Sequence, residues 1–288
     1  MSMNDRKVLA CVDLSTYAEH VADHAAWAAA RMGAPLEFLH VIDRHPPLAG
    51  GQDHSGAIGA NAQERLLRNL SEEDAARTRA EREAARVFLR RLRERATAAG
   101  ADSVDTRQRH GDLAETLAEQ QADVRLYVLG RRGASAAQPP QGLGRHVAWT
   151  VRSLRRPVLV VTEAFRPPER VLIAFDGSAI TRKGVEMVAA SPLFRGLAVR
   201  VLMSGQPSGD SPKQIEWARQ TLAQAGFDVV AGIEAGDPPT VIGQAIERQG
   251  IDLLVMGAYT HSPLRQLFTG SKTNELLRTA RVPTLLLR

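Results

Sequence analysis

The chain has 288 residues, about twice a common domain size, which favours two domains. Hydrophobic residues make up 44% of it and charged residues 24%, a globular composition that excludes wholesale disorder. Its longest apolar runs, such as Val158-Leu-Val-Val161, are strand-sized and far short of the roughly 20 residues of a membrane span. The net charge of +5 comes from 37 basic and 32 acidic residues, scattered along the chain without interleaved aromatics, so nucleic-acid binding is not expected. The single cysteine, Cys11, excludes an internal disulfide framework and a cysteine-based zinc site. With a polar start, Met1 to Lys7, and no signal-peptide pattern, the expectation is a cytoplasmic protein without membrane attachment.

In chain order, the first apolar run is Lys7–Val12, which ends on Asp13. A helical stretch closes at Gly33, and a second strand follows over Leu36–Val41. Residues 43–61 are rich in Gly, Pro and His and read as a crossover loop. A long helix is expected over 71–99, about 43 Å at 1.5 Å per residue. Ser71-Glu-Glu-Asp74 is its expected capping box, Ala80, Ala84, Phe88 and Leu92 its apolar stripe, and Gly100 its stop. Eight arginines from Arg77 to Arg95 alternate with Glu81, Glu83 and Glu94, the pattern of a solvated, salt-bridged face rather than an RNA-binding one. Strands at Val104–Arg109, Leu126–Leu129 and Val158–Val161 complete the first half.

The chain then repeats itself. Lys7-Val-Leu-Ala-Cys-Val-Asp13 returns as Arg170-Val-Leu-Ile-Ala-Phe-Asp176, 163 residues later. Gly111-Asp112 returns as Gly236-Asp237, Val124–Gly130 as Ile251–Gly257, and Pro157–Val161 as Pro283–Leu287. The second-half strands are Val171–Phe175, Ala198–Met203, Asp228–Ala231, Leu253–Met256 and Thr284–Leu287. The shortened offset of the later matches places an insertion of roughly 37 residues in the first half, within about 43–100. The expected organisation is two α/β domains, 1–163 and 169–288, each a five-stranded parallel sheet of order 3-2-1-4-5 covered by helices. The terminal strands Val158–Val161 and Thr284–Leu287 are expected to meet across the boundary, because an uncovered apolar edge invites aggregation.

In such a sheet ligands bind beyond the strand carboxyl ends where the order reverses, here between the first and fourth strands. Asp13 and Asp176 follow the first strands, and Gly130 and Gly257 end the fourth, although Asp also caps helices and Gly also turns chains. The run Gly257-Ala-Tyr-Thr260…Gly270-Ser271 supplies a glycine turn, a loop, and a Gly-Ser pair opening the last helix, an arrangement that suits a phosphate. It is neither a dinucleotide fingerprint nor a P-loop, and no Ser-His-Asp order, HExxH or paired-carboxylate signature stands out. No catalytic residue and no metal site are assigned. His45, Asp53 and His54 lack rigid ligand spacing, and Cys11 reads as a small strand hydrophobe. His40 and His110 read as packing or pocket-lining residues, while His261 and Arg265 flank the second loop, where they either face a phosphate or stand exposed.

These residues resemble the universal stress protein family in its tandem-domain form, over nearly the whole chain. That family shows Gly-x-x-Gly, nine residues, then Gly-Ser or Gly-Thr, and its nucleotide-binding members hold ATP there. The resemblance implies that Asp176, the Met203 backbone, Gly257, Thr260, Gly270 and Ser271 receive ATP, with or without Mg. Asp13, Gly130, Gly133 and Gly144 are the weaker first-half set. Thr260 replaces the second glycine of the pattern. In the first half ten residues separate Gly133 from Gly144, and Arg145 stands at the hydroxyl position, so that site reads as degenerate. The implied function is a stress-response sensor or adaptor with at most slow hydrolysis. Its rival is a scaffold of the same fold that binds proteins or small apolar ligands. The resemblance also implies an internal pseudo-dimer through the last strands and leaves homodimerisation open.

Overall fold

The computed structural model describes residues 6–15, 17–42, 60–131, 145–258 and 275–288, with the side chains of 60–78, 145, 146, 148 and 149 outside that description. Five strands build the first half: β1 (Lys7–Cys11), β2 (Leu36–Ile42), β3 (Val104–His110), β4 (Val124–Gly130) and β5 (Val158–Val161). Between them run α1 (Ala18–Met32), α2 (Ala60–Ala98), α3 (Leu113–Glu119) and α4 (Arg145–Ser153). The second half repeats the plan with β6 (Arg170–Ala174), β7 (Ala198–Ser204), β8 (Val229–Glu234), β9 (Leu253–Gly257) and β10 (Thr284–Leu287), crossed by α5 (Ala179–Ala190), α6 (Ser211–Gln224) and α7 (Pro238–Gln249). Residues 275–279 form the helical stretch before β10.

All ten strands form one sheet, in the order β3-β2-β1-β4-β5-β10-β9-β6-β7-β8. Each half reads 3-2-1-4-5 outward from the other's mirror position, and the register repeats, with Val8 opposite Leu36 and Val171 opposite Val199. Pairing is parallel throughout except at the centre, where Val158, Leu159 and Val160 face Leu286, Leu285 and Thr284 antiparallel. That seam is the cross-boundary contact the apolar ends call for. All eight of its residues are buried, so separating the halves would expose two bare hydrophobic edges. Arg31 on α1 reinforces it by donating from Nε to Leu193 O (2.7 Å) of the other half, and the Arg131 guanidinium reaches Ala280 O.

Because crossovers cover both faces, two cores run the length of the sheet. One lies under α1, α2, α5 and α6 and joins Phe38, Leu92, Val185, Phe194 and Leu222. The other lies under α3, α4 and α7 and joins Leu117, Val151, Leu254 and Ile246. Tyr127 is fully buried in the second, its hydroxyl donating to Leu117 O at 2.7 Å.

The long helix differs from its expected form. It spans Ala60–Ala98, 39 residues and about 58 Å. It starts eleven residues before Ser71, so Ser71-Glu-Glu-Asp74 lies inside the helix and not at its start. The reason is local: Ala60 to Leu70 is almost all good helix former with no Gly or Pro to stop propagation. The buried stripe is Ala85, Leu89, Leu92 and Ala96, with Phe88 half-buried beside it and Ala80 and Ala84 exposed. The 4-3-4 spacing of that stripe follows the seam against α1 and β3, which a strict four-residue step drifts away from.

Candidate functional site

The order reversal falls between β1 and β4, and again between β6 and β9. At both, the first-strand loop is fastened alike. Val12 N–H donates to Leu39 O (3.0 Å), and Phe175 N–H donates to Leu202 O (2.9 Å). The aspartate that follows closes an Asx turn: Asp13 Oδ1 accepts from Ser15 N–H (3.0 Å) and Asp176 Oδ1 from Ser178 N–H (2.9 Å). Asp176 Oδ1 also accepts from the Thr181 hydroxyl at 2.8 Å. The position equivalent to Thr181 in the first half is Ala18, which has nothing to donate. Both aspartates therefore serve the helix start, and the exposed Asp176 keeps its second oxygen free of hydrogen bonds from any described residue.

Gly257 brings β9 to this point. A Cβ on it would lie 3.2 Å from Ile180 Cγ2 and 3.4 Å from Thr181 Cγ2. Only a bare backbone lets the first turn of α5 settle on the strand end without displacement. Asp176, Thr181 and Gly257 thus form one contiguous patch at the mouth of the crevice. Past it the chain leaves each fourth strand identically, Arg131 N–H donating to Val161 O (3.0 Å) and Ala258 N–H to Leu287 O (2.8 Å).

The second-strand ends differ. Met203, buried at the end of β7, sits opposite Ile233 in the β7–β8 ladder. Its counterpart is His40, also buried, whose Nδ1 lies 2.9 Å from Val12 O. A carbonyl only accepts, so that nitrogen carries the proton. The imidazole occupies the first-half crevice wall and ties β2 to the aspartate loop. Gly130 ends β4 opposite Val161. Gly133, Gly144, Thr260, Gly270 and Ser271 lie outside the described residues, as do His45, Asp53, His54, His261 and Arg265. Among the described residues no three His, Cys, Asp or Glu side chains gather as a metal set would. Burial, and then the Glu37 carboxylate, push the Cys11 thiol pKa up, so it is no ready nucleophile.

Four residues that the motif reading passed over surround the second-half aspartate loop. Phe175 stacks on Trp217 of α6, with centroids 6.3 Å apart and planes inclined by 26°. The Arg182 guanidinium sits 4.9 Å from the Trp217 ring centroid, and its Nε donates to Gly177 O at 3.1 Å. The Gln214 amide presses on Gly177, where a Cβ would come within 1.8 Å of Oε1, and the φ of +74° there is one that side chains resist. The signal available in the sequence was Asp176-Gly177, a turn dipeptide. Nothing in its spacing pointed to a tryptophan 40 residues on.

A doubly wound sheet written twice, with matching aspartate loops at both reversals, defines a tandem α/β protein. The profile described as Universal stress protein family matches residues 5–162 and again 168–288. The chain belongs to that family. It is 31% identical to a universal stress protein of Synechocystis sp. over 287 residues, covering 98% of this chain and all of that one. In three dimensions it resembles a universal stress protein from Archaeoglobus fulgidus with a TM-score of 0.72 at 17% identity, covering 99% of this chain and 97% of that one. A functionally unknown protein from Pseudomonas aeruginosa gives a TM-score of 0.61 at 20% identity, covering 99% and 93%. At these identities the structures establish a shared fold.

Proposed function

We propose that the chain comprises two stress-protein domains, 1–163 and 169–288, and that the second binds an adenine nucleotide, ATP, at its strand-carboxyl crevice. The observation that carries this reading is the patch of Asp176, Thr181 and Gly257. A carboxylate fixed by two hydrogen bonds through one oxygen offers the other to a ribose hydroxyl or base amine. Beside it a glycine strand end admits close backbone approach. The family resemblance adds the Met203 backbone for the base and Thr260, Gly270 and Ser271 for the ribose and phosphates, with or without Mg. In this reading the protein acts as a sensor or adaptor with at most slow hydrolysis. It works in the cytoplasm in a stress response. Among the described residues no helix is long and apolar enough to cross a membrane.

For the first half a scaffold reading is favoured by His40, whose ring spends its donor on Val12 O inside the crevice wall. Calorimetric titration of ATP tests both assignments. Asp176→Ala and Ser271→Ala should each weaken binding by about 1–3 kcal/mol, roughly five- to 150-fold. Asp13→Ala should leave it within about twofold. Full affinity in both second-half variants, or loss only in Asp13→Ala, would overturn the assignment.

A further inference from the structure

The segment that joins the halves runs from Thr162 to Glu169, between β5 and β6. Ala164 within it has φ +65°, alone among the described non-glycine residues in the left-handed region that L side chains resist. The next residue, Phe165, turns its ring edge-on to His24 of α1, with centroids 4.8 Å apart and planes at 78°. The ring contact thus holds the linker down against the preference of its own backbone. His24 is buried, and its Nδ1 lies 2.7 Å from the His20 carbonyl, which only accepts, so that nitrogen carries the proton. Nε2 is left bare, closed to solvent and without a partner among the described residues. A second proton must go there, and it creates a charged N–H donor that the closed structure leaves without an acceptor. Packing does not demand an imidazole, since Met187 fills the equivalent position in α5.

The charged neighbours do little to welcome that proton. On α1, Asp23 attracts a positive ring and His20 repels it, and Asp23 is already gripped by Arg95 of α2. The strands beneath α1 turn Ala10, Val128, Leu159 and Val161 into this core, and the short turn Pro192–Phe194 adds Leu193 and Phe194, all uncharged. Arg31 of α1 spends its guanidinium on the Leu193 and Arg195 carbonyls beside that turn. On the linker, Glu163 and Arg166 are exposed. Burial is the largest influence on the ring and holds its pKa below the ordinary 6.5. We propose that the His24–Phe165 contact is an acid-released latch: protonation at Nε2 drives the His24 ring out from under the linker, and Ala164 then relaxes and carries Phe165 into solvent. The closed form binds the second proton poorly and the open form binds it as free imidazole does, so acid favours opening. Below about pH 6.5 the open-to-closed ratio rises by up to about tenfold per unit. The β5–β10 pairing ends at Val160 and takes no part in the motion, so the halves stay joined while their connection loosens. The latch is independent of the nucleotide reading, because it lies on the linker and not at either order reversal.

The test is fluorine NMR of the full-length chain carrying fluorophenylalanine, titrated from about pH 7.5 to about pH 5. The Phe165 signal is assigned by its loss in Phe165→Leu. It should move to a solvent-exposed position with the same midpoint as the His24 ring protons, below 6.5, while the signals of the buried Phe38 and Phe194 stay in place. In His24→Met, the residue that the second half uses, the Phe165 signal should stay in its closed position throughout, with circular dichroism checking the fold. Ala164→Val, which deepens the backbone strain, should raise the opening midpoint. A Phe165 signal that ignores pH, that responds equally in His24→Met, or that moves only together with Phe38 and Phe194 would overturn the proposal. So would separate midpoints for His24 and Phe165 in the unsubstituted chain, a result that needs no variant to fold.

Discussion

In the N-terminal half, α1 is tied to its neighbouring helix by charge. Arg95 of α2 grips Asp23 through Nε (2.6 Å) and Nη2 (2.9 Å), and Arg91 and Arg95 both reach Glu19 (2.5 and 3.3 Å). In the C-terminal half the same join, α5 to α6, is made by Arg182 lying on Trp217 and by Gln214 on Gly177. Glu19 and Arg182 are equivalent positions in the repeat, so one change of sign marks the two solutions. The lesson is about the insertion. The 39-residue α2 brought a row of arginines to a helix that already had to be covered, and acidic residues on α1 met them. The compact half kept its crossover short and placed an aromatic group directly behind the aspartate loop. The join between the two covering helices is thus made by packing in one half and by ion pairs in the other.

The largest expected effect breaks the packed join. Trp217→Ala removes a half-buried indole that touches Phe175 and Arg182, and should cost about 2–4 kcal/mol, somewhat below a fully buried Trp→Ala change. Urea unfolding followed by circular dichroism measures it. Because Phe175 directly precedes Asp176, ATP affinity should fall as well. A loss of stability below about 1 kcal/mol would show that the cation–π contact is only a surface ornament of the fold.

Next in size is Gly257→Ala. The new methyl would press Ile180 and Thr181 at distances tighter than ordinary contact, so a cost of about 1–2 kcal/mol is expected. The variant should also weaken ATP binding more than it shifts the thermal midpoint would suggest, since the turn of α5 that holds Asp176 must move. Equal midpoints and equal affinity would detach Gly257 from the site.

How much of this was legible beforehand depended on how local each cause is. Alternating apolar runs and the 163-residue repeat gave the strands and their order, because period and repetition are written in consecutive residues. The start of α2 was misplaced because Ser71 has good cap chemistry, yet a cap acts only where the turn before it is not already helical. The Asp176 position was readable from its place after a strand. Its distinction from Asp13 was not, since it rests on Thr181 and Trp217, which become neighbours only when α5 and α6 fold back on the sheet. The phosphate-side role proposed for Gly270 and Ser271 rests on the family pattern alone.

His24 of α1 stands where α5 has Met187. His24 is buried, edge-on to Phe165 of the linker (4.8 Å, 78°), with Nδ1 2.7 Å from His20 O and Nε2 without a partner among described residues. Burial lowers its pKa below the ordinary 6.5, outweighing the His20 carbonyl and Asp23, which act the other way, while His20 itself adds to the lowering. The folded state therefore favours the neutral ring. Its contribution is complete above about pH 6.5 and is lost as pH falls toward the depressed folded value. Unfolding free energy measured from pH 7.5 down to 5 should decline, and His24→Phe should flatten part of that decline. Identical slopes in both proteins would remove His24 as the cause.

The smallest expected effect breaks the charged join. Asp23 is largely covered, but Glu19, Arg91 and Arg95 are well exposed, with side-chain exposures of 39%, 70% and 42%. Water screens such pairs and ordering long side chains offsets part of the attraction, so each is worth about 0.2–1 kcal/mol. Hydrogen bonding to Asp23 raises the Arg95 pKa, with Asp23 and Glu19 charge adding to it. That direction marks Arg95, held at two points, as the stronger of the two arginines. Arg95→Gln should therefore cost more than Arg91→Gln, and the difference should shrink in about 1 M salt, where the screening length is about 3 Å. Trp217→Ala should show no comparable salt dependence. If Arg95→Gln instead destabilises by more than about 2 kcal/mol at every salt concentration, the guanidinium is acting through its packed stem, and the two joins are more alike than their charges suggest.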